Sequence, residues 1–267
     1  MERLSVIDSH AHLTDERLLP EVDAVVERAR EVGVETIVTI GTYPDSSREA
    51  VALAQRFPGV YATVGIHPHA AEGATEEAFA AIRKLVREPG VVALGETGLD
   101  YFYDSSPRAD QRRSFLWHLE LARETGLPVV VHARSADDDV RDILAEARDV
   151  TGVLHCFSSG RAVLERALEV GWYASFSGMI TFKKYEDADL VRMVPADRIL
   201  VETDAPYLAP APFRGKTNEP AFVVHTARKA AEIRGEDPVK FAATTVRNTR
   251  AFYRLQAPSP RRRESSG

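Results

Sequence analysis

The sequence predicts a (β/α)8 TIM barrel, an α/β fold of the metal-dependent hydrolase type. Three observations carry that prediction. Eight strand-like runs alternate with helix-period segments, the runs are nearly continuous in apolar residues, and the 267 residues match the length of one such barrel, which is typically ~250 residues. Continuous apolar runs are what a parallel sheet buried on both faces demands. Right-handed strand–helix repeats of this count close on themselves. An open doubly wound sheet is the alternative. No Gly-x-Gly-x-x-Gly turn follows any strand, however, so neither a dinucleotide site nor a nucleotide cofactor is expected. The barrel is assigned residues 1–256 as one domain. Residues 257–267, where Arg261-Arg262-Arg263 sits among Pro, Ser and Gly, read as a flexible tail.

The first strand, Ser5 to Leu13, ends in His10 and His12. Strand alternation turns Val6, Asp8, His10 and His12 to one face. Val22, Val25, Val26, Ala29 and Val32 then recur at helical spacing, and Gly33 stops that helix. The second strand is Thr36–Ile40; its helix shows Ala50, Leu53, Ala54 and Phe57 before Pro58-Gly59. The third is Val60–Ile66, tipped by His67-Pro68-His69, and its helix carries Phe79, Ile82 and Val86. The fourth, Val91–Glu96, runs into Thr97-Gly98-Leu99-Asp100-Tyr101 and a long helix with Phe115, Leu116, Leu119 and Ala122. The fifth, Pro128–His132, precedes a helix whose Ser135 and Asp138 stand at capping-box spacing. The sixth is Gly152–Phe157, the seventh Trp172–Ser177 with Gly178 at its tip, and the eighth Ile199–Asp204. Two helices follow, one from about Ala221 to Ile233 and one opened by the Asp237-Pro238 signal.

Composition narrows the function classes. Hydrophobic residues make up 44% and charged residues 28%, an ordinary globular balance, and no apolar run reaches the ~20 residues of a membrane span. Strand-like sequence begins within a few residues of the start, which leaves no room for a signal peptide. Cys156 is the one cysteine, so a disulfide framework is excluded and a cytoplasmic setting is expected. The net charge of -6 argues against a dedicated duplex-DNA binder.

The polar residues fall where barrels of this type carry their chemistry, at the C-terminal strand ends. These ends hold His10, His12, His67, Glu96, His132, His155 and Asp204. Buried together without a cation they would be costly, so a metal site is expected. The donor count points to two divalent ions of the Mg, Mn or Zn kind. His10 and His12 would take one and His132 and His155 the other, with Glu96 between them. Asp204 would ligate, orient a metal-activated water, or accept its proton. Such a pair suits phosphoester hydrolysis. Asp8 and Glu202, two residues below ligands, either orient them or make plain core hydrogen bonds. Strand alternation turns Cys156 toward the helix layer as an inert thiol. His67 would contact substrate or cap its own loop, and His69 belongs to that loop. His118 and His225 read as structural or exposed. After the eighth strand, Arg214 and Lys216 with Asn218 would meet phosphate oxygens, or form a solvated basic loop. Tyr101, Phe102, Tyr103 and Tyr207 would stack on bases of a single strand, or pack within their loops.

Seven stretches occur in one order along the chain: Asp8-Ser9-His10-Ala11-His12, Gly65-Ile66-His67-Pro68-His69, Gly95-Glu96-Thr97-Gly98-Leu99-Asp100-Tyr101, Pro128-Val129-Val130-Val131-His132, His155-Cys156-Phe157-Ser158, Glu202-Thr203-Asp204-Ala205-Pro206-Tyr207, and Arg214-Gly215-Lys216 leading into Asn218-Glu219-Pro220. In these the chain resembles the TatD family of metal-dependent deoxyribonucleases, within the amidohydrolase-like barrels. Glu96 stands where many such barrels carry a modified lysine, which favours the TatD branch. The resemblance implies a divalent-metal hydrolase, most often a DNase with 3′-to-5′ exonuclease character on single-stranded DNA. It also implies ligation by His10, His12, Glu96, His132, His155 and Asp204. The alternative is hydrolysis of another bond by the same metals, an aminoacyl-tRNA ester or a C–N bond of a cyclic amide or nucleoside.

Overall fold

Eight parallel strands pair in chain order, β1 to β8, in a computed structural model that describes residues 3–255. The tail assigned to 257–267 lies outside the described residues. The strands are β1 (Val6–Ala11), β2 (Val34–Ile40), β3 (Val60–Val64), β4 (Val91–Asp100), β5 (Val129–Arg134), β6 (Gly152–Leu154), β7 (Tyr173–Phe176) and β8 (Ile199–Val201). The helices are α1 (Val22–Val32), α2 (Pro44–Arg56), α3 (Glu76–Leu85), α4 (Arg108–Thr125), α5 (Asp137–Glu146), α6 (Arg161–Glu169), α7 (Ala188–Met193), α8 (Val223–Arg234) and α9 (Pro238–Tyr253). The fold is the (β/α)8 barrel that the alternation predicts. At the closing seam, a parallel bridge joins Ala11 to Ala205. His12 N donates to Ala205 O at 2.7 Å and Asp204 N to His10 O at 2.9 Å.

Two cores hold the barrel. The larger lies between sheet and helices, where the apolar stripes read from the sequence, such as Val25, Val26 and Ala29 of α1 and Phe115, Leu119 and Ala122 of α4, are buried. The smaller fills the lumen with Val38, Ile40, Ala93, Val130, Val153 and Leu200. Phe252 and Tyr253 of α9 pack on this lumen cluster. The Tyr253 hydroxyl donates to Ser9 O at 2.9 Å, and Asn248 Nδ2 donates to Ala196 O and Ile199 O. The last helix therefore plugs the barrel from the N-terminal side of its strands and leaves the C-terminal rim open. Among the described residues no helix is long and apolar enough to cross a membrane.

Several boundaries differ from the sequence pattern. β6 and β8 stop at Leu154 and Val201, short of His155 and Asp204, whereas β4 continues to Asp100 as one strand. The capping box at Ser135 does not form. Ser135 adopts a φ of 54°, Ala136 is the N-cap of α5 without a side-chain bond, and Asp137 instead accepts from Gly160 N at 2.8 Å. The Asp237 cap does form, accepting from Val239 N and Lys240 N.

Candidate metal centre

Two strand irregularities aim the site. In β1, Asp8 pairs with Ile37 but Ala11 pairs with Thr39, so β1 takes three steps where β2 takes two. One extra residue reverses the facing of everything beyond it. Asp8 therefore does not orient a ligand ring. Its Oδ1 accepts from Thr203 N at 2.8 Å and its Oδ2 from Thr203 Oγ1 at 2.5 Å, which ties β1 to the residue before Asp204. Burial pushes this carboxyl up to about 8 against those two bonds. β4 makes the same slip between Leu94 and Thr97, which pair with Val129 and Val131. Gly95 inside this slip has a φ of 129°. A Cβ there would stand 2.5 Å from Val130 O, so only glycine fits. Glu96 emerges from this slip into the cluster.

His132 lies within β5, whereas His12, His67, His155 and Asp204 sit past strand ends, where alternation no longer applies. Cys156 (φ 44°) and Asp204 (φ 56°) both take left-handed backbone. This overturns the placement of Cys156 in the helix layer. The thiol lines the central cleft, lies 3.1 Å from Ser177 Oγ, and is raised well above the usual thiol range by burial and by the nearby Asp204 and Glu202 carboxylates. Glu202 Oε1 meets His155 Nδ1 at 3.2 Å and accepts from Cys156 N at 2.7 Å.

Glu96 is the hub, with a side chain only 2% exposed. Its Oε1 lies 2.8 Å from His155 Nε2, 3.2 Å from His132 Nδ1 and 3.3 Å from His67 Nε2. Its Oε2 faces the other way, 3.4 Å from His10 Nε2 and 3.6 Å from His12 Nε2. Asp204 Oδ1 lies 3.4 Å from His12 Nε2 and 3.6 Å from His10 Nε2. The rings of His10 and His155 stack at 3.9 Å. Three overlapping groups could each hold a cation: His10 with His155 and Asp204, His10 with His12 and Glu96, and His67 with Glu96 and His132. His67 thus joins the cluster, while its Nδ1 also accepts from His69 N at 3.1 Å. His155 Nε2 lies 3.4 Å from His132 Nδ1 on the same side of Glu96, and its ring also stacks on His10.

The donor set fits divalent metal. Ligand bonds of ~2.0–2.2 Å place neighbouring donor atoms ~3.0–3.5 Å apart, and the long contacts above fall near that range. Glu96 Oε2 has no hydrogen-bond partner although it is buried, an orphan that a cation would satisfy. Burial alone would raise the Glu96 carboxyl, but charge on His155 and His67 and the nearness of the His10 and His132 rings hold it well below the carboxylate range. Burial opposes the protonation of His155, yet Glu96 and Glu202 lift it well above the usual imidazole value. His10 is lowered by burial and by His155. The carboxylates are thus balanced by imidazole protons, which a cation on the same nitrogens displaces.

One carboxylate escaped the sequence reading. Asp100, fully buried, presents Oδ2 to His132 Nε2 at 3.0 Å and to His69 Nε2 at 2.8 Å. Its Oδ1 accepts from Phe102 N and Tyr103 N, both at 3.0 Å. The signal was its place four residues after Glu96, obscured because the fourth strand was ended at Glu96. Arg214 and Lys216 are not brought to the centre. Both are exposed. The Arg214 guanidinium lies 3.6 Å over the Phe182 ring and donates to Ala209 O, and Lys216 Nζ lies 5.7 Å over Phe213. Asn218 is the buried anchor of that loop, donating to Thr203 O and Tyr207 O. Tyr207 does line the cleft, whose volume is about 840 Å³. His225 packs on Phe213.

His118 supports the site from behind. Its Nε2 accepts from Ile66 N at 3.2 Å and its Nδ1 donates to Ser114 O at 2.7 Å, which fixes the neutral tautomer next to His67. Burial pushes its pKa down to about 4 from the ordinary 6.5. The unfolded chain therefore takes up this proton first as pH falls, and stability drops between those two values. The full loss is ~3 kcal/mol by linkage. The stability advantage of wild type over His118→Gln, from urea unfolding, should shrink by about that amount between pH 7 and pH 4. An unchanged difference would mean that His118 does not stay neutral.

Comparison with known proteins places the whole barrel in one family. The family model described as TatD related DNase matches residues 7–254. A Bacillus subtilis protein named "Uncharacterized metal-dependent hydrolase YabD" is 38% identical over 94% of this chain and 99% of its own. An Erwinia tasmaniensis protein named "3'-5' ssDNA/RNA exonuclease TatD" is 36% identical over 94% of this chain and 100% of its own. Among solved structures, the Escherichia coli TatD homologue YJJV superposes with a TM-score of 0.89 at 27% identity, over 94% of this chain and 98% of that one.

Proposed function

Because this chain belongs to the TatD family of metal-dependent hydrolases, we propose that it hydrolyses the phosphodiester bonds of single-stranded DNA, acting from the 3′ end, with two divalent ions. The observation that carries this reading is the two-faced carboxylate of Glu96, one oxygen toward His10 and His12 and the other toward His132, His155 and His67. His10, His12 and Asp204 would hold one ion, His132, His155 and His67 the other, and Glu96 would serve both. Ions held there supply Lewis acidity to a phosphoryl group and acidify water.

The chain's own residues divide the remaining work. The Asp204 side chain is 13% exposed where that of Glu96 is 2%, so Asp204 is the carboxylate that an attacking water would reach, and it would orient that water and take its proton. Burial works against ionisation of Asp204, but the bond from His12 and charge on His10 and His155 keep it an anion, ready to accept. Glu202 fixes His155 through Nδ1, and so leaves Nε2 for the centre. The relatives named as exonucleases of single-stranded DNA and RNA support the substrate class.

The test is cleavage of 3′- or 5′-labelled single-stranded DNA by protein loaded with Mg, Mn or Zn, with and without chelator. Chelator-sensitive shortening from the 3′ end is expected. Turnover of aminoacyl or other carboxyl esters beside inert oligonucleotides would overturn the reading in favour of an ester hydrolase.

A further inference from the structure

Among the described residues, six large apolar side chains are exposed, and the three aromatic ones, Phe102 at 60%, Tyr103 at 58% and Tyr207 at 47%, all follow C-terminal strand ends. Exposed rings are costly unless something covers them. Each set also carries a guanidinium. Arg134, at the end of β5, lies 4.2 Å over Phe102 and 4.8 Å over Tyr103. Arg17, past β1, lies 4.5 Å over Tyr207 and is held by Asp15 through bonds of 2.8 and 2.9 Å. Tyr103, Arg134, Asp15 and Tyr207 line the same cleft as the metal ligands.

The sheet order decides how these sets relate. In a barrel running β1 to β8, the ends of β4 and β5 lie across the rim from those of β8 and β1. One set touches a ligand candidate directly and the other reaches the centre through His69, whose ring lies 4.4 Å from that of His67. Tyr103 meets His69 edge-on at 5.4 Å, and Tyr207 meets His12 edge-on at 6.0 Å. An aromatic face backed by a guanidinium is the surface on which unpaired bases stack, regardless of sequence.

We propose that Tyr103 with Phe102 and Arg134, and Tyr207 with Arg17, are two base-stacking platforms that grip a single strand on opposite sides of the scissile phosphate. This rests on the nucleic-acid reading above. It adds that the grip is on bases rather than on backbone alone, so paired bases are rejected and any unpaired base is accepted.

The experiment crosses protein variants with abasic substrates. Single-stranded DNA carrying one tetrahydrofuran abasic unit, moved stepwise along the 3′ end, is cleaved by wild type, Tyr103→Ala, Tyr207→Ala and the matching phenylalanine variants. Each alanine variant should raise KM for intact DNA about 10-fold or more, as loss of a stacked base does. Phenylalanine should restore it. The alanine effect should vanish when the abasic unit sits at that platform's own position, and the two platforms should answer to different positions. Quenching of 2-aminopurine at those positions by chelator-stripped protein gives a readout independent of turnover. Alanine effects that persist unchanged on abasic DNA, or an unchanged KM with unquenched 2-aminopurine, would overturn the platforms while leaving the nuclease reading intact. No cleavage by wild type would end the nuclease reading instead, and absent quenching would then end the platforms with it.

Discussion

Glu96→Ala is expected to lower turnover by at least about 10³-fold, since it removes the carboxylate that faces both halves of the proposed metal centre. The fold should survive. Glu96 is buried, but its neighbours are imidazoles, which escape an uncompensated charge by releasing a proton. Far-UV circular dichroism should be unchanged. The thermal shift on adding metal supplies a second readout. Saturation at 100 times Kd stabilises wild type by ~2.7 kcal/mol, and a chain of this size gains about 2–4 °C per kcal/mol. Glu96→Ala should lose most of that gain. Glu96→Gln, which keeps the volume but only one oxygen, should lose turnover too. Full activity of either variant in excess metal would remove Glu96 from the centre.

The parts of this molecule that are legible in sequence are those set by repetition. The apolar periodicity of α1, α2 and α4 and the alternation of eight strands give the barrel, because burial on both faces of a parallel sheet leaves little freedom in pattern. The rim position of His10, His12, Glu96, His132, His155 and Asp204 follows from strand ends. What periodicity cannot show is where it breaks. The extra residue in β1 turns Asp8 from a ring-orienting role to a backbone clasp on Thr203. Left-handed backbone at Cys156 puts a thiol in the cleft rather than behind the sheet. Ser135, likewise left-handed, forfeits its cap. Loop trajectories are hidden for the same reason, so sequence leaves Arg214 between a phosphate contact and a solvated basic loop, and in the structure its guanidinium lies on Phe182.

Asp100→Asn is expected to weaken metal binding about 10–100-fold, the usual cost of losing a partner that orients a ligand imidazole. Here the argument turns on the tautomer. Asp100 Oδ1 accepts two backbone N–H groups, from Phe102 and Tyr103. An asparagine must keep its carbonyl oxygen there, because those donors are otherwise orphaned. Its NH2 then replaces Oδ2 beside His132 Nε2, now 3.0 Å from that oxygen. A donor at that position requires Nε2 to accept, which moves the ring proton to Nδ1. Nδ1 is the atom that lies 3.2 Å from Glu96 Oε1, and a protonated Nδ1 cannot bind metal. The variant would thus keep the shape of the site and invert one ligand. Competition with a chromogenic chelator should show the loss of affinity, and excess metal should recover part of the turnover. Equal affinity in Asp100→Asn and wild type would mean that His132 does not approach metal through Nδ1, and would return this histidine to a structural role.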